Sequence, residues 1–394
     1  MLSFDEATAL LVSSIAPLGS EEVPLTQAAG RILAEDLHAS FAMPRSDVSV
    51  MDGYALRKAS LADWDFLSVA GEARPGMPFV GQLDDDAAVR VFTGTPIPEG
   101  ADYVIMQEYA RREADKVSFE DGHGPANNIR TKGSDFGIGD ILVTHGARLT
   151  PRAMVAAAAA DREAVLVGRK PRVAIIVTGN ELIPPGKAGA TPTFIPESAS
   201  FGIAAMCENC SADIVLRSHG HDEIGELERL AAEALEVADC IVVTGGASVG
   251  DHDLARPMFD RLGIELVFSR LAIKPGKPVW LGKVGEKVVL GLPGNPGSAM
   301  VTARLFLRPI LVLLQGGKGV GDPSFIPMPL AEPLGATGSR ETFVRASAGA
   351  NGLVPVGNQE SGAQHPLVAA DWLIRRPAHS RACDPGTLVD ASPF

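Results

Sequence analysis

The chain has 394 residues, of which 46% are hydrophobic and 21% charged; these are the proportions of a folded protein of roughly two to four domains, which excludes a disordered tail or a mini-protein. Its 35 basic and 48 acidic residues leave a formal charge of −13, a field that opposes nucleic acid and acidic membrane surfaces, so an anionic ligand has to be held by local donors. Four cysteines, Cys207, Cys210, Cys240 and Cys383, are too few for a disulfide framework in so long a chain and point to a reducing compartment, the cytoplasm.

In chain order, Ala7, Leu10, Leu11 and Ile15 recur at helical spacing after Ser3, with Glu6 three residues on, which is a capping-box pattern. The acidic start, Met1 to Glu6, and the lack of an apolar run of about 18 residues predict neither a signal peptide nor a membrane span. From about 41 to 139 the character changes to short β runs (Ala88 to Phe92, Tyr103 to Gln107, Lys116 to Phe119) between Gly, Pro and Asp, which reads as a β-rich insertion. Residues 140–168 return to a strand and a helix opening at Thr150-Pro151, and are expected to rejoin residues 1–40 as a split domain. From 169 to 316 the pattern is βα. Strands are expected at Val173 to Val177, Ile214 to Leu216, Cys240 to Val243 and Val288 to Leu292, and helices at 198–210, at 222–238 and from Pro296 to the Pro309 region. That alternation implies a parallel sheet. Residues 317–394 hold short β runs (Thr342 to Arg345, Leu353 to Pro355, Trp372 to Ile374) and are expected to form a small β-domain.

Ligands of open parallel sheets bind beyond the carboxyl ends of the strands. The expected strands lead there into Thr178-Gly179-Asn180-Glu181, into Thr244-Gly245-Gly246-Ala247-Ser248-Val249-Gly250-Asp251-His252-Asp253 and into Pro293-Gly294-Asn295-Pro296-Gly297-Ser298. Each reads as an oxyanion cradle or as an ordinary tight turn, and three at one edge favour binding. Arg270, Lys274 and Lys277 surround a Pro-Gly turn just before a strand expected at 279–282, a local concentration of cations in an acidic chain. Glu181, Asp222, Asp251 and Asp253 follow the same strands, as a Mg²⁺ site shared with phosphate oxygens needs, although Asp222 could equally cap a helix.

Other motifs carry less. Gly246-Ala247-Ser248-Val249-Gly250 fits a nucleophile elbow, with His365 or His379 downstream, but the cation cluster has no place in a serine triad. Cys207-x-x-Cys210 lacks a second ligand pair for zinc, and His219-x-His221 reads as loop surface.

Beyond these patterns, the blocks Met51-Asp52-Gly53-Tyr54-Ala55, Thr93-Gly94-x-Pro96-x-Pro98-Glu99-Gly100-Ala101-Asp102, Met106-Gln107-Glu108, Thr178-Gly179-Asn180-Glu181-Leu182, Gly245-Gly246-x-Ser248-Val249-Gly250-x-x-Asp253, Lys274-Pro275-Gly276-Lys277-Pro278 and Leu292-Pro293-Gly294-Asn295-Pro296-x-Ser298 stand in one order along the chain. In these it resembles the molybdopterin molybdenumtransferase family, MoeA in bacteria and the E domain of gephyrin in animals.

The resemblance implies a multidomain α/β plus β fold: a split linker domain, a β-rich insertion, a molybdopterin-binding α/β domain with a parallel sheet, and a C-terminal β-barrel. It implies a Mg²⁺-dependent transferase that turns adenylylated molybdopterin and molybdate into molybdenum cofactor and AMP. In that reading Lys274, Lys277 and Arg270 neutralise molybdate and phosphate. Thr178, Gly179, Gly245, Gly246, Ser248, Gly250, Pro293, Gly294, Asn295, Pro296 and Ser298 hold the pterin nucleotide, and Glu181, Asp222 and Asp253 hold the metal. Asp52, Thr93 and Asp135 reach a cleft formed with a second protomer of a homodimer. The implied partners are the molybdopterin adenylyltransferase and molybdoenzyme maturation factors. Rival readings are a non-catalytic pterin-binding scaffold, an adenylyltransferase acting one step earlier, and a serine hydrolase through Ser248. The chain departs from the family pattern at Arg270, often Lys; at Ser134, often acidic; in Glu197-Ser198-Ala199, where Asp-Ser/Thr-Asn is usual; and in Ser46-Asp47-Val48, where Phe-Asp-Asn is usual.

Overall fold

The computed structural model of the chain describes residues 1–190, 192–246, 254–318 and 324–394. Two compact units result, one of Met1–Glu35, His145–Met154 and Glu163–Phe394, the other of Asp36–Thr144 and Val155–Arg162. The segments 1–40 and 140–168 thus divide between the two.

In the larger unit a sheet runs in the order Asp213–Gly220, Arg172–Thr178, Cys240–Thr244, Lys287–Leu292, Trp280–Val284, Glu265–Ser269. The first four strands are parallel, as expected from the βα pattern. Strand 280–284 runs antiparallel to both of its neighbours, a departure from an all-parallel sheet. The reason is local: strands 280–284 and 287–292 are joined through Gly285 and Glu286, and Gly285 has φ +57°, the left-handed conformation that a two-residue hairpin turn demands. Strand 265–269, which lacks a clear alternation, was not anticipated.

Alternation in the strand Arg172–Thr178 builds two cores. Val173, Ile175 and Val177 join Ile203 and Cys207 of the helix Ala199–Asn209. Ala174 and Ile176 join Leu227, Leu230, Ala231 and Ala234 of the helix Ile224–Val237, giving helices on both faces. The helix Phe4–Ser14 carries the expected capping box, with the Ser3 hydroxyl accepting from the Glu6 amide and the Glu6 carboxylate accepting from the Ser3 amide. It sends Phe4, Ala7 and Leu11 into the first of these cores.

The helix expected to end near Pro309 instead runs on to Leu314, as Pro296–Thr302, a wider π turn Ala303–Leu307, and Arg308–Leu314. The wide turn carries the chain past the proline, whose ring would clash with the carbonyl four residues back in a regular helix. At mean hydropathy 1.5 the stretch Pro296–Leu314 is long and apolar enough to cross a membrane, contrary to the expectation that no such run exists, although Arg304 and Arg308 stand within it. It is 78% buried inside the unit, as a core helix.

The C-terminal strands form a second sheet, in the order Ile273–Lys274, Glu341–Gly349, Trp372–Arg376, Leu388–Pro393, Ile326–Pro329, with Gly352–Pro355 also paired to 341–349. A parallel bridge from Leu330 to Leu353 joins its ends into a barrel around Val344, Ala346, Ile374 and Ala391. Lys274, expected in a loop, is therefore a sheet residue.

In the smaller unit the sheet order is Tyr103–Met106, Gly53–Leu56, Ala87–Val91, Leu67–Glu72, Lys116–Phe119, Ala110–Glu113.

Cys207, Cys210 and Cys240 are buried, Cys383 is half-buried, and none of the four is in a disulfide. Burial first, then neighbouring negative groups, pushes the Cys207 thiol up to about 12. Burial likewise raises Cys240. Inert core thiols replace any zinc reading of Cys207-x-x-Cys210. We expect Ellman's reagent at pH 8 to label Cys383 alone in the native protein and all four thiols after unfolding.

Candidate active site

In the larger unit the chain enters the sheet at strand 172–178 and then places strand 213–220 on one side of it and strand 240–244 on the other. The carboxyl ends of 172–178 and 240–244 thus flank a topological switch point. The expected turns do converge there. A Cβ on Gly245 would lie 2.2 Å from the Thr178 carbonyl oxygen, and one on Gly294 would lie 3.1 Å from the Gly245 Cα, so only glycines let the three backbones stack. Gly245 also has φ +98°. The Thr244 hydroxyl donates to the Pro293 carbonyl at 3.0 Å, tying two of the turns. The Thr178 Oγ1 is buried there with no hydrogen-bond partner among the described residues.

The turn after Thr178 is fastened to the one before helix 224–237. The Asp222 amide donates to the Asn180 Oδ1 at 3.0 Å, and the His219 Nε2 donates to the Gly179 carbonyl at 2.8 Å, which fixes the proton on Nε2. His219 is hence the end of a strand and not loop surface, and its ring packs edge-to-face on His221. Asp222 caps no helix: Glu223 is the cap residue, and its side chain makes no cap bond. Glu181 and Asp222 make no ion pair among the described residues. Two un-neutralised carboxylates on adjacent strand ends fit Mg²⁺, which takes one or two carboxylates and completes its shell with water and phosphate oxygens. Among the described residues no three His, Cys, Asp or Glu side chains gather into a closed metal site. Asp253, the third expected ligand, lies outside the described residues, as do Ser248, Gly250 and Asp251; the serine-elbow reading falls there too.

Two of the cavities formed by the described residues open on this unit. The larger, about 820 Å³, lies along helix 199–209 and helix 296–314 and is lined by Met206, Met300, Leu367, Val368 and Phe394, by the cations Arg148, Arg304 and Arg308, and by Pro296 of the expected set. Ser198 also lines it and has a buried, partnerless Oγ. The Glu197 carboxylate, at one of the departures from the family pattern, is taken up by the Ser200 amide at 2.8 Å and its hydroxyl at 2.6 Å.

The smaller cavity, about 550 Å³, is lined by Lys274, Arg340, Arg345 and Arg376 and by no carboxylate among the described residues. Three of these cations were missed in the sequence. Arg345 is 3% exposed and donates to the carbonyls of Ala363, Asn358 and Glu360, so it shapes the 358–363 segment without meeting an acid. Burial pushes its guanidinium below the ordinary arginine value. Arg270 and Lys277 are exposed and line neither cavity. Their backbones pair across the turn instead, Arg270 N–H with the Val279 carbonyl and Leu271 N–H with that of Lys277. Ser298 is buried and also lines neither.

In the smaller unit Asp52 and Thr93 sit at the ends of the paired strands 53–56 and 87–91. The Asp52 carboxylate accepts from the Thr93 amide at 2.8 Å and from its hydroxyl at 3.0 Å. Those two bonds, with a smaller contribution from Arg90, hold Asp52 below the usual carboxylate range. Arg90, another residue missed in the sequence, also donates to the Gly53 carbonyl and to Gln107. Asp135 is exposed, with its amide on the Met43 carbonyl, and its side chain joins neither Asp52 nor Thr93.

Comparison with known proteins agrees along the chain. Residues 2–160 match the family model of the MoeA N-terminal region (domain I and II), residues 174–312 that of a probable molybdopterin binding domain, and residues 327–394 that of the MoeA C-terminal region (domain IV). A molybdopterin molybdenumtransferase of Haemophilus influenzae is 35% identical over 320 residues, 81% of this chain and 79% of that protein. One from Staphylococcus aureus is 29% identical over 98% of this chain and 94% of its own. The crystal structure of a molybdopterin biosynthesis moeA protein from Pyrococcus horikoshii OT3 superposes over the whole of both chains with a TM-score of 0.86 at 27% identity.

The Asp52 bonds have a pH signature. Because the folded pKa is depressed, the stabilisation they give is complete above the unfolded value of about 3.9 and is lost as pH falls through the lower folded value. In a carboxyl-carbon NMR titration we expect Asp52 to titrate below the other exposed aspartates, and Thr93→Val, which keeps the amide but not the hydroxyl, to move it part of the way up.

Proposed function

This chain belongs to the MoeA family of molybdopterin molybdenumtransferases, and we propose that it carries out that reaction by inserting molybdate into adenylylated molybdopterin with release of AMP. The observation that carries the site reading is the smaller cavity: four cationic side chains and no described carboxylate in a chain of net charge −13. Such a hollow suits multiply charged oxyanions, because donors fixed before the substrate arrives need no reorganisation as charge develops.

In this reading Lys274, Arg340 and Arg345 hold phosphate and molybdate oxygens, and the stacked turns at Thr178, Gly245 and Gly294 offer amides and a spare hydroxyl to the nucleotide. The larger, mostly apolar cavity takes the flat pterin. Glu181 and Asp222, with Asp253, would hold Mg²⁺. A bound Mg²⁺ supplies neutralising charge at the phosphates of the anhydride. Bringing molybdate and the dithiolene sulfurs together in fixed orientation is the protein's main contribution, and no covalent enzyme intermediate is required. Asp52, Thr93 and Asp135 belong to the proposed machinery as acidic and hydroxyl groups for metal or water. Lys277 and Arg270 add to the field from outside the cavities. We further propose a cytoplasmic homodimer that receives its substrate from a molybdopterin adenylyltransferase and passes its product to molybdoenzyme maturation factors.

Purified protein given adenylylated molybdopterin, Mg²⁺ and molybdate should release AMP in a molybdate-dependent way. Lys274→Ala should slow release by about 10²-fold, the usual effect of removing one stabiliser of developing negative charge. Release at the wild-type rate would remove Lys274 from the site, and adenylylation with ATP in the absence of molybdate would assign the preceding reaction.

A further inference from the structure

Strand register places a second cation beside Lys274. Lys274 is paired with Thr342, and Thr342 with Arg376, on three neighbouring strands of the C-terminal sheet. Residues directly opposite each other share a face, so the three form a row of ammonium, hydroxyl and guanidinium with its ends about 10 Å apart, two strand spacings. The row lies on the same face as Val344 and Ile374 of the barrel core, which explains why Arg376 is only 3% exposed. All three residues line the smaller cavity.

Arg376 is left unsatisfied. Its Nη2 donates to the Arg381 carbonyl, and its Nη1 is buried without an acceptor. No ion pair reaches it among the described residues. A buried guanidinium with a vacant donor and no counter-charge is costly unless an anion is meant to complete it.

We propose that Arg376 is a further substrate-binding residue, the second jaw of a clamp in which Lys274, Thr342 and Arg376 grip one tetrahedral oxyanion. A molybdate ion and a phosphate group present the same geometry, and Arg376 lines the cavity that would take either. The proposal rests on the reading of this cavity as the oxyanion site.

The test is titration calorimetry of the wild type and of Lys274→Ala, Arg376→Met and Arg376→Lys with molybdate and, separately, with AMP, together with melting curves of the ligand-free proteins. Arg376→Met should weaken one of the two ligands by at least about tenfold, and the affected ligand names the oxyanion. Arg376→Lys should recover part of the affinity, since it keeps the charge and loses the forked donors. Without ligand, Arg376→Met should melt no lower than the wild type, because it removes an uncompensated buried charge; an arginine that only supported the fold would give a lower melting point. If Arg376→Met fails to fold, a loss of severalfold in Arg376→Lys supports the clamp and wild-type affinity overturns it. Weakened binding in Lys274→Ala with unchanged binding in both Arg376 variants would sink the clamp while leaving the cavity reading intact. No binding of either ligand by the wild type would overturn both.

Discussion

A parallel pairing only two residues long, Ile273–Lys274 against Glu341–Thr342, determines where positive charge collects in this protein. Cations repel one another, and a chain of net charge −13 offers acids everywhere to scatter them. By recruiting Lys274 into the C-terminal sheet, the pairing fixes it next to a barrel that supplies Arg340, Arg345 and Arg376 from its own strands and turns. The alternation of the β-strand then separates Thr342 and Arg376 from Glu341, Arg345 and Arg375. Glu341 and Arg375 lie on the opposite face from Thr342 and Arg376, and there Arg375 pairs with Glu341 and with Asp5 and stacks over the Phe4 ring. The acid that could have neutralised the cavity is thereby used to anchor the first helix.

A different kind of constraint acts at the switch point of the central sheet. There the strands end in turns so closely stacked that a methyl group on Gly245 would meet the Thr178 carbonyl. The crowding brings peptide amides from separate turns to one place, and it also decides which residues can stand there. The carboxylates arrive by another route: Glu181 and Asp222 leave neighbouring strands, linked through Asn180 and steadied by the His219 ring on the Gly179 carbonyl. The carboxylates of this edge and the cations of the C-terminal sheet hence come from different elements of the fold, which keeps them from cancelling one another.

Much of this was legible in the residues and some was not, for identifiable reasons. The parallel strands announced themselves as continuous apolar runs, and the Ser3–Glu6 box marked the first helix, because both signals are local. The Asp52–Thr93 bond was legible only as two separate motifs, since the bond depends on pairing between strands far apart in sequence. Arg345 and Arg376 gave no signal at all. An arginine in a short β run reads as a solvent-facing residue, and only the closing of the barrel reveals that these two are buried. Arg270 and Lys277 stand close to Lys274 in sequence, which suggested a shared cluster. The backbone pairing between the two sides of that turn leaves their side chains exposed and outside both cavities. His219 reads as surface in the sequence because its hydrogen bond reaches a carbonyl forty residues away.

The burial of these arginines sets stability against function. A guanidinium taken out of water without a carboxylate partner loses hydration that carbonyl acceptors restore only in part. Arg345 recovers much of it by donating to three carbonyls of the 358–363 segment, and in doing so it shapes the cavity wall. A glutamate partner would have stabilised the protein further, but it would have cancelled the positive field of the cavity. Satisfying the cations with neutral backbone dipoles leaves their charge available to a ligand. The cost falls on the ligand-free state, and the apolar layers on either side of the central sheet are extensive enough to bear it.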